Sequence, residues 1–144
     1  SATTVRGGLL FYADSSLGLL SGGGITRMSV ENNGFVGVRT TTALSYFDVN
    51  GSSALGGVTT TADLTLNENH HTVVILSTTA VGAGDIILPA AATCPRREYV
   101  IVNQTGVNKT ISSYDSFTGA ASTVIPATSS ITVQSIGGLW YRTK

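Results

Sequence analysis

The residues with the most chemical reach in this chain are two adjacent histidines, one cysteine, eight carboxylates and a small set of aromatics. A metal centre built on histidine needs imidazoles repeated in a fixed geometry. His70 and His71 would point to opposite faces of a strand, so one per chain could join a ring on a threefold axis. A solvated turn or sheet edge is the plainer reading, and no metal is expected. Cys94 precedes Pro95-Arg96-Arg97, but a nucleophile also needs a partner base and none lies close in sequence. A small buried residue in a loop is expected there. Asp14, Glu31, Asp48, Asp63, Glu68, Asp85, Glu98 and Asp115 form no general acid/base pair in sequence. Asp48 lies just before Asn50-Gly51, where hydrogen bonding to local backbone is its expected role. There is no Gly-x-Ser-x-Gly elbow, phosphate loop or His-Glu-x-x-His, and Gly82-Ala83-Gly84 reads as a hairpin turn. The chain is expected to be no enzyme and to need no cofactor.

Binding chemistry is better represented. Trp140, Tyr141, Tyr114, Phe117 and Tyr99 are rings able to stack on sugars, with Asn and Thr side chains supplying hydrogen bonds. Trp140 lies in the final apolar segment, and packing is its expected role. The stretch from Tyr114 to Ala121 is turn-rich and carries two aromatics and an acid, which is where a rigid scaffold displays recognition. Tyr114, Asp115, Phe117 and Thr118 are therefore the candidate receptor-binding residues.

These residues must be positioned by strands. No window has a capped helical apolar period, and Ala90-Ala91-Ala92 is too short and follows Pro89. Strands are expected over residues 63–67, 71–78, 85–88, 98–103, 109–114, 122–125, 130–135 and 139–143. Short strands with a turn every 8 to 12 residues point to an antiparallel sandwich or jelly roll. The continuous runs Val73–Leu76 and Tyr99–Val102 read as strands buried on both faces. Gly56-Gly57-Val58-Thr59-Thr60-Thr61 is the expected boundary, giving an N-terminal stalk or neck (1–58) and a β-sandwich head (59–144).

The N-terminal part is different in character. Leu9–Tyr12, Leu17–Leu20 and Ile25–Val30 are strand-sized pieces separated by turn residues. Between Asn32 and Ser52, two short apolar runs are each bounded by Asn-Gly. One copy offers little to bury these pieces, so several copies are expected to wrap together. Phe35, Val36, Val38, Leu44, Phe47 and Val49 are the expected interface.

Composition narrows the function. Charged residues are 11% of the chain, under half the roughly 25% of an average domain. Net charge is zero, so the basic stripe that nucleic-acid binding requires is missing. The 42% hydrophobic content argues against disorder. No apolar run approaches the roughly 20 residues of a membrane helix, and no membrane insertion is expected. One cysteine allows no intrachain disulfide. Because residue 1 is Ser, a fragment of a longer protein is expected.

Two parts of the sequence carry a resemblance. The segment NGFVGVRTTTALSYFDVNGS (33–52) resembles the GxVGIGTTxPxxxLDVNG element of bacteriophage tail fibres and related trimeric surface fibres. Val38-Arg39 replaces its Ile-Gly, Ala43 its Pro and Phe47 its Leu. LLFYADSSLG (9–18) resembles the short repeats that precede that element. Val73-Val74-Ile75, Ile86-Ile87-Leu88-Pro89, Tyr99-Val100-Ile101-Val102-Asn103 and Gly138-Leu139-Trp140-Tyr141 are similar in order to C-terminal fibre heads. The resemblance implies an all-β homotrimer: an intertwined β stalk or neck, then a jelly-roll-like head. It implies a place on the virion surface, outside the cell, with other fibre or tail proteins upstream and a host cell-surface glycan or protein as receptor. A head-fibre, collar or decoration protein with no receptor contact is the alternative, and a glycan depolymerase is disfavoured by the scarcity of acids.

Overall fold

Five short strands organise the N-terminal region: β1 (Gly7–Phe11), β2 (Leu17–Ser21), β3 (Ile25–Val30), β4 (Val36–Val38) and β5 (Phe47–Val49). They form one sheet in chain order, antiparallel except for the parallel β4–β5 pair. The computed structural model describes residues 7–13, 15–21, 25–76 and 85–144. Asp14, the Gly82-Ala83-Gly84 turn and the last two residues of the strand expected over 71–78 lie outside them.

Turn chemistry sets the first sheet. Asn33 Oδ1 accepts the Phe35 N–H at 2.9 Å, and the Gly34 N–H donates to the Glu31 carbonyl at 2.9 Å, closing the β3–β4 hairpin. Arg27 is an extra residue in β3, since Leu19 pairs with Met28 and Leu20 with Thr26. Such a bulge bends its strand. The Arg39 N–H donates to the carbonyl of that same Arg27 at 2.9 Å.

Register sorts the side chains into two very different faces, because residues paired across strands share a face and neighbours along a strand alternate. One face carries two complete apolar rows. The first runs Leu9, Leu19, Met28, Val38, Val49 and the second Phe11, Leu17, Val30, Val36, Phe47. None of these ten is buried. The opposite face carries the row Leu10, Gly18, Ser29, Gly37, Asp48. There the link from β4 to β5 folds back over the sheet: Ser29 Oγ donates to the Thr40 carbonyl at 3.0 Å. Among the described residues of this region the buried ones, Gly18, Ser29, Gly37 and Ala43, are all small.

The second region is a nine-stranded sheet containing β6 (Gly57–Thr60), β7 (Leu64–Thr65), β8 (Thr72–Ile75), β9 (Ile86–Ile87), β10 (Glu98–Asn103), β11 (Lys109–Asp115), β12 (Ala121–Ile125), β13 (Ser129–Ile136) and β14 (Leu139–Arg142). The order is β6-β8-β10-β13-β14-β11-β9-β7, with β12 on β11. One cluster, including Leu66, Val73, Ile75, Tyr99, Ile101, Ile131, Val133 and Trp140, unites residues from both halves of that order. A sheet can do this only by curling toward closure. One 3-10 turn, Ala91–Thr93, adds Ala91 to the same core.

The all-β class holds, and each strand expected after residue 60 is present in some form. The expected uniform antiparallel pairing does not hold: β6–β8, β8–β10, β11–β14, β11–β9 and β7–β9 are parallel. Turn spacing speaks only for strands adjacent in sequence, whereas these partners are brought together by longer connections. Nor are the two apolar runs buried on both faces. Val73, Ile75, Tyr99 and Ile101 point inward and are fully enclosed, while Val74, Val100 and Val102 are half-buried and Leu76 is exposed. A curled single sheet covers one side of each strand only.

By contacts the chain divides into two compact units, Ser1–Ala54 and Leu55–Lys144. The division falls a few residues before the boundary expected at 58–59, so β6 is a strand of the second unit.

Candidate functional site

The hairpin joining β11 to β12 is the recognition candidate from the sequence. It is closed by the Ser116 N–H donating to the Ala120 carbonyl and the Gly119 N–H to the Ser116 carbonyl, each at 2.9 Å. The hydroxyls of Ser116 and Thr118 bond each other at 2.9 Å. Phe117 is 66% exposed at the tip. The Arg142 guanidinium, from β14, sits over its ring at 5.0 Å from the centroid, a cation–π contact that orders both side chains. The Arg142 Nε–H also donates to the Lys144 carbonyl at 3.0 Å.

The four residues do not act together. Tyr114 is 3% exposed and its hydroxyl donates to the Val124 carbonyl at 2.8 Å. It is a core residue with no ring face to offer a ligand. A register shift in β11 between Thr110 and Tyr114 breaks the alternation set by the buried Lys109 and Ile111 and turns Tyr114 inward in place of Ser113, and the loop begins only at Ser116. Asp115 closes β11, paired with Ala121 and Tyr141 and half-buried. Phe117 and Thr118 remain on the exposed loop, joined by Arg142, which sequence reasoning missed. Only the β11–β14 pairing brings Arg142 near, and no local signal announces it.

The apolar interface residues divide similarly. Val36, Val38, Phe47 and Val49 lie on the one apolar face of the first sheet. Phe35 instead packs edge-on against Tyr46, ring centroids 5.0 Å apart. Leu44 lies in the crossover, exposed, and its N–H donates to an Asp48 carboxylate oxygen at 2.9 Å, the local backbone bond expected of Asp48. The face extends well beyond the expected residues, to Leu9, Phe11, Leu17, Leu19, Met28 and Val30. A signal for them existed: each strand reads apolar-x-apolar across its central positions.

The remaining chemically capable residues have structural partners. Trp140 Nε1–H donates to the Pro89 carbonyl at 2.9 Å and its ring lies 5.4 Å from that of Tyr99, which agrees with the packing role. Cys94 is buried, its thiol donating to the Ala90 carbonyl at 3.4 Å. His70 Nδ1 accepts the Asn67 N–H at 3.1 Å in a turn, and His71 Nε2 lies 3.7 Å from Glu98. Half-buried Arg97 donates a guanidinium N–H to the Tyr99 hydroxyl at 3.4 Å, and that hydrogen bond raises its pKa. Asn103, fully buried, donates to the Val107, Ile125 and Pro126 carbonyls and accepts the Thr105 N–H and hydroxyl. It ties β10 to the end of β12 across the mouth of the curled sheet.

In comparisons with known proteins, no family model, curated protein or solved structure matches this chain.

Proposed function

We propose that this chain belongs to a homotrimeric bacteriophage fibre and attaches the virion to the host bacterial surface. The observation that carries the reading is the uncovered face of the first sheet. Two full rows of apolar side chains face outward there; burying an exposed one such as Phe11 or Phe47 is worth about 1.5–3 kcal/mol, and less for those already half-buried. A patch this continuous marks an interaction surface. Identical partners, which bring the same uncharged face, meet no charge penalty in covering it. The motif resemblance of residues 33–52 points to three copies about one axis, joined upstream to other fibre or tail proteins. In this reading the second unit is the head on the virion exterior. Phe117, Thr118 and Arg142 then contact a cell-surface glycan or protein, and repetition across three copies strengthens a weak contact. The role is binding, not catalysis.

A second reading, a head-fibre, collar or decoration protein without a receptor, is favoured by one fact. Tyr114 is spent on the core, which leaves Phe117 as the exposed aromatic of the tip.

Sedimentation of the purified protein tests the assembly, with a mass three times that of the chain expected and a monomer fatal to the reading. Glycan-array and whole-cell binding of the trimer, beside a Phe117→Ala/Thr118→Ala variant, separate the two functions. Loss of binding with the trimer intact supports attachment. Unchanged binding by the variant, or no binding to any surface, supports the structural role.

A further inference from the structure

The covered face of the first sheet contains a cavity of about 250 Å³ lined by Tyr12, Ser16, Ser29, Glu31, Asn32 and Thr41. Its floor is set by two close approaches. A Cβ on Gly18 would lie 3.1 Å from Tyr12 Cε2, so the absence of a side chain there lets the Tyr12 ring rest on the sheet. A Cβ on Gly37 would lie 2.7 Å from the Thr40 carbonyl oxygen, so the crossover can descend onto the sheet only at a glycine. Tyr12 on one side and the crossover on the other leave a gap floored by Ser29. Tyr12 is fixed by its hydroxyl, 3.1 Å from Thr26 Oγ1.

The walls are chemically mixed in a specific way. Glu31 Oε1 accepts the Ala43 N–H, and among the described residues Oε2 has Asn33 Nδ2 as its partner, at 3.5 Å. Each carboxylate oxygen accepts about two hydrogen bonds, so Oε2 has capacity left. Among the described residues no Lys, Arg or His forms an ion pair with Glu31. A half-buried carboxylate with hydrogen-bonding capacity left favours ligands that donate hydrogen bonds and disfavours anions. The Tyr12 ring, 39% exposed, offers an apolar wall, and Thr41 and Asn32 offer neutral polar groups. The volume is below the roughly 300–1,000 Å³ of drug-sized pockets, a size for one ring and not for an oligosaccharide.

We propose that this cavity binds a single non-acidic sugar residue, its ring against Tyr12 and its hydroxyls donating to Glu31. The site lies on the face opposite the two apolar rows, so covering those rows leaves it open. It requires neither a trimer nor a receptor contact at Phe117.

The test is ligand-observed NMR and calorimetry on the whole chain, with glucose, galactose, glucosamine, N-acetylglucosamine and glucuronate as probes and sedimentation of the same samples. At least one non-acidic sugar is expected to bind with Kd of about 1–10 mM, the ordinary weak end of affinity, and at least tenfold tighter than glucuronate. Tyr12→Ala is expected to weaken binding at least tenfold. Thr41→Val, an exposed change that spares the fold, is expected to weaken it several-fold. Phe117→Ala should leave it unchanged. The proposal is overturned by absence of binding for all four non-acidic sugars, by glucuronate binding equally well, or by loss of binding on Phe117→Ala with retention in both cavity variants. Should Tyr12→Ala fail to fold, Thr41→Val alone decides. A monomeric sample that still binds sugar would break the trimer reading and leave this one standing.

Discussion

The two units are built from the same kinds of residues and reach opposite outcomes. In the second, Val73, Ile75, Tyr99, Ile101, Ile131 and Val133 have essentially no exposed surface, because the sheet curls until its inner side meets itself. In the first, the corresponding apolar positions form two straight rows across five strands and nothing in the described residues encloses them. Its buried positions among the described residues are instead two glycines and a serine on the sheet and an alanine in the crossover. A nine-stranded sheet is wide enough to wrap around a core, whereas a five-stranded one whose last two strands are three residues long is not. The difference teaches that alternation makes a greasy face, while strand number decides whether the same chain can cover it.

The contrast can be broken most forcefully on the apolar face. Val36→Asp/Val38→Asp places two charges in the middle of the rows, and complete loss of the proposed trimer is expected by sedimentation, with the Trp140 near-UV signal of the second unit retained. An oligomer that survives would show that this face is not its interface. Next in size, Ile101→Ala empties a fully enclosed position in the second unit. About 2–5 kcal/mol of stability should be lost in denaturant titration, against under about 1.5 kcal/mol for Val38→Ala in a monomeric background, because Val38 is only half-buried there. Equal costs would erase the distinction between cored and uncored units.

Asn103→Ala sharpens the account of closure. It strips three carbonyls and the Thr105 N–H of a partner, and about 1–3 kcal/mol should be lost. Hydrogen exchange should quicken first at 104–108 and 125–128. The smallest effect is expected at Trp140→Phe, which removes the bond to the Pro89 carbonyl while keeping a ring in place. About 0.5–1.5 kcal/mol is expected from thermal melts, with the oligomer unaffected.

Much of the fold is legible in the sequence at the level of single strands. Glu98–Asn103 and Leu139–Arg142 are bounded by turn residues and filled with apolar and β-branched ones, information that sits within a few positions. The candidate sites are less legible. Tyr114 stands at the start of a turn-rich stretch, yet β11 extends to Asp115 and a register shift after Thr110 turns its ring inward against the simple alternation. Arg142 lies 25 positions from Phe117 in the chain and meets it only through the β11–β14 pairing. Tyr12 and Thr41 frame one cavity because Gly18 and Gly37 share a row across three strands.

By itself, then, the sequence determined an all-β chain: its apolar-x-apolar strands, its Asn-Gly turns and its low charge. These are local properties, fixed by the two-residue period of a strand and the backbone preferences of turn residues. The tertiary structure decided which strands became neighbours, and so which half of each alternating set is enclosed in the second unit and left bare in the first. Closing a loop costs nearly the same across a wide range of lengths, so distant partners leave no mark in the segments that join them. Their choice is made by how the greasy faces can be covered together.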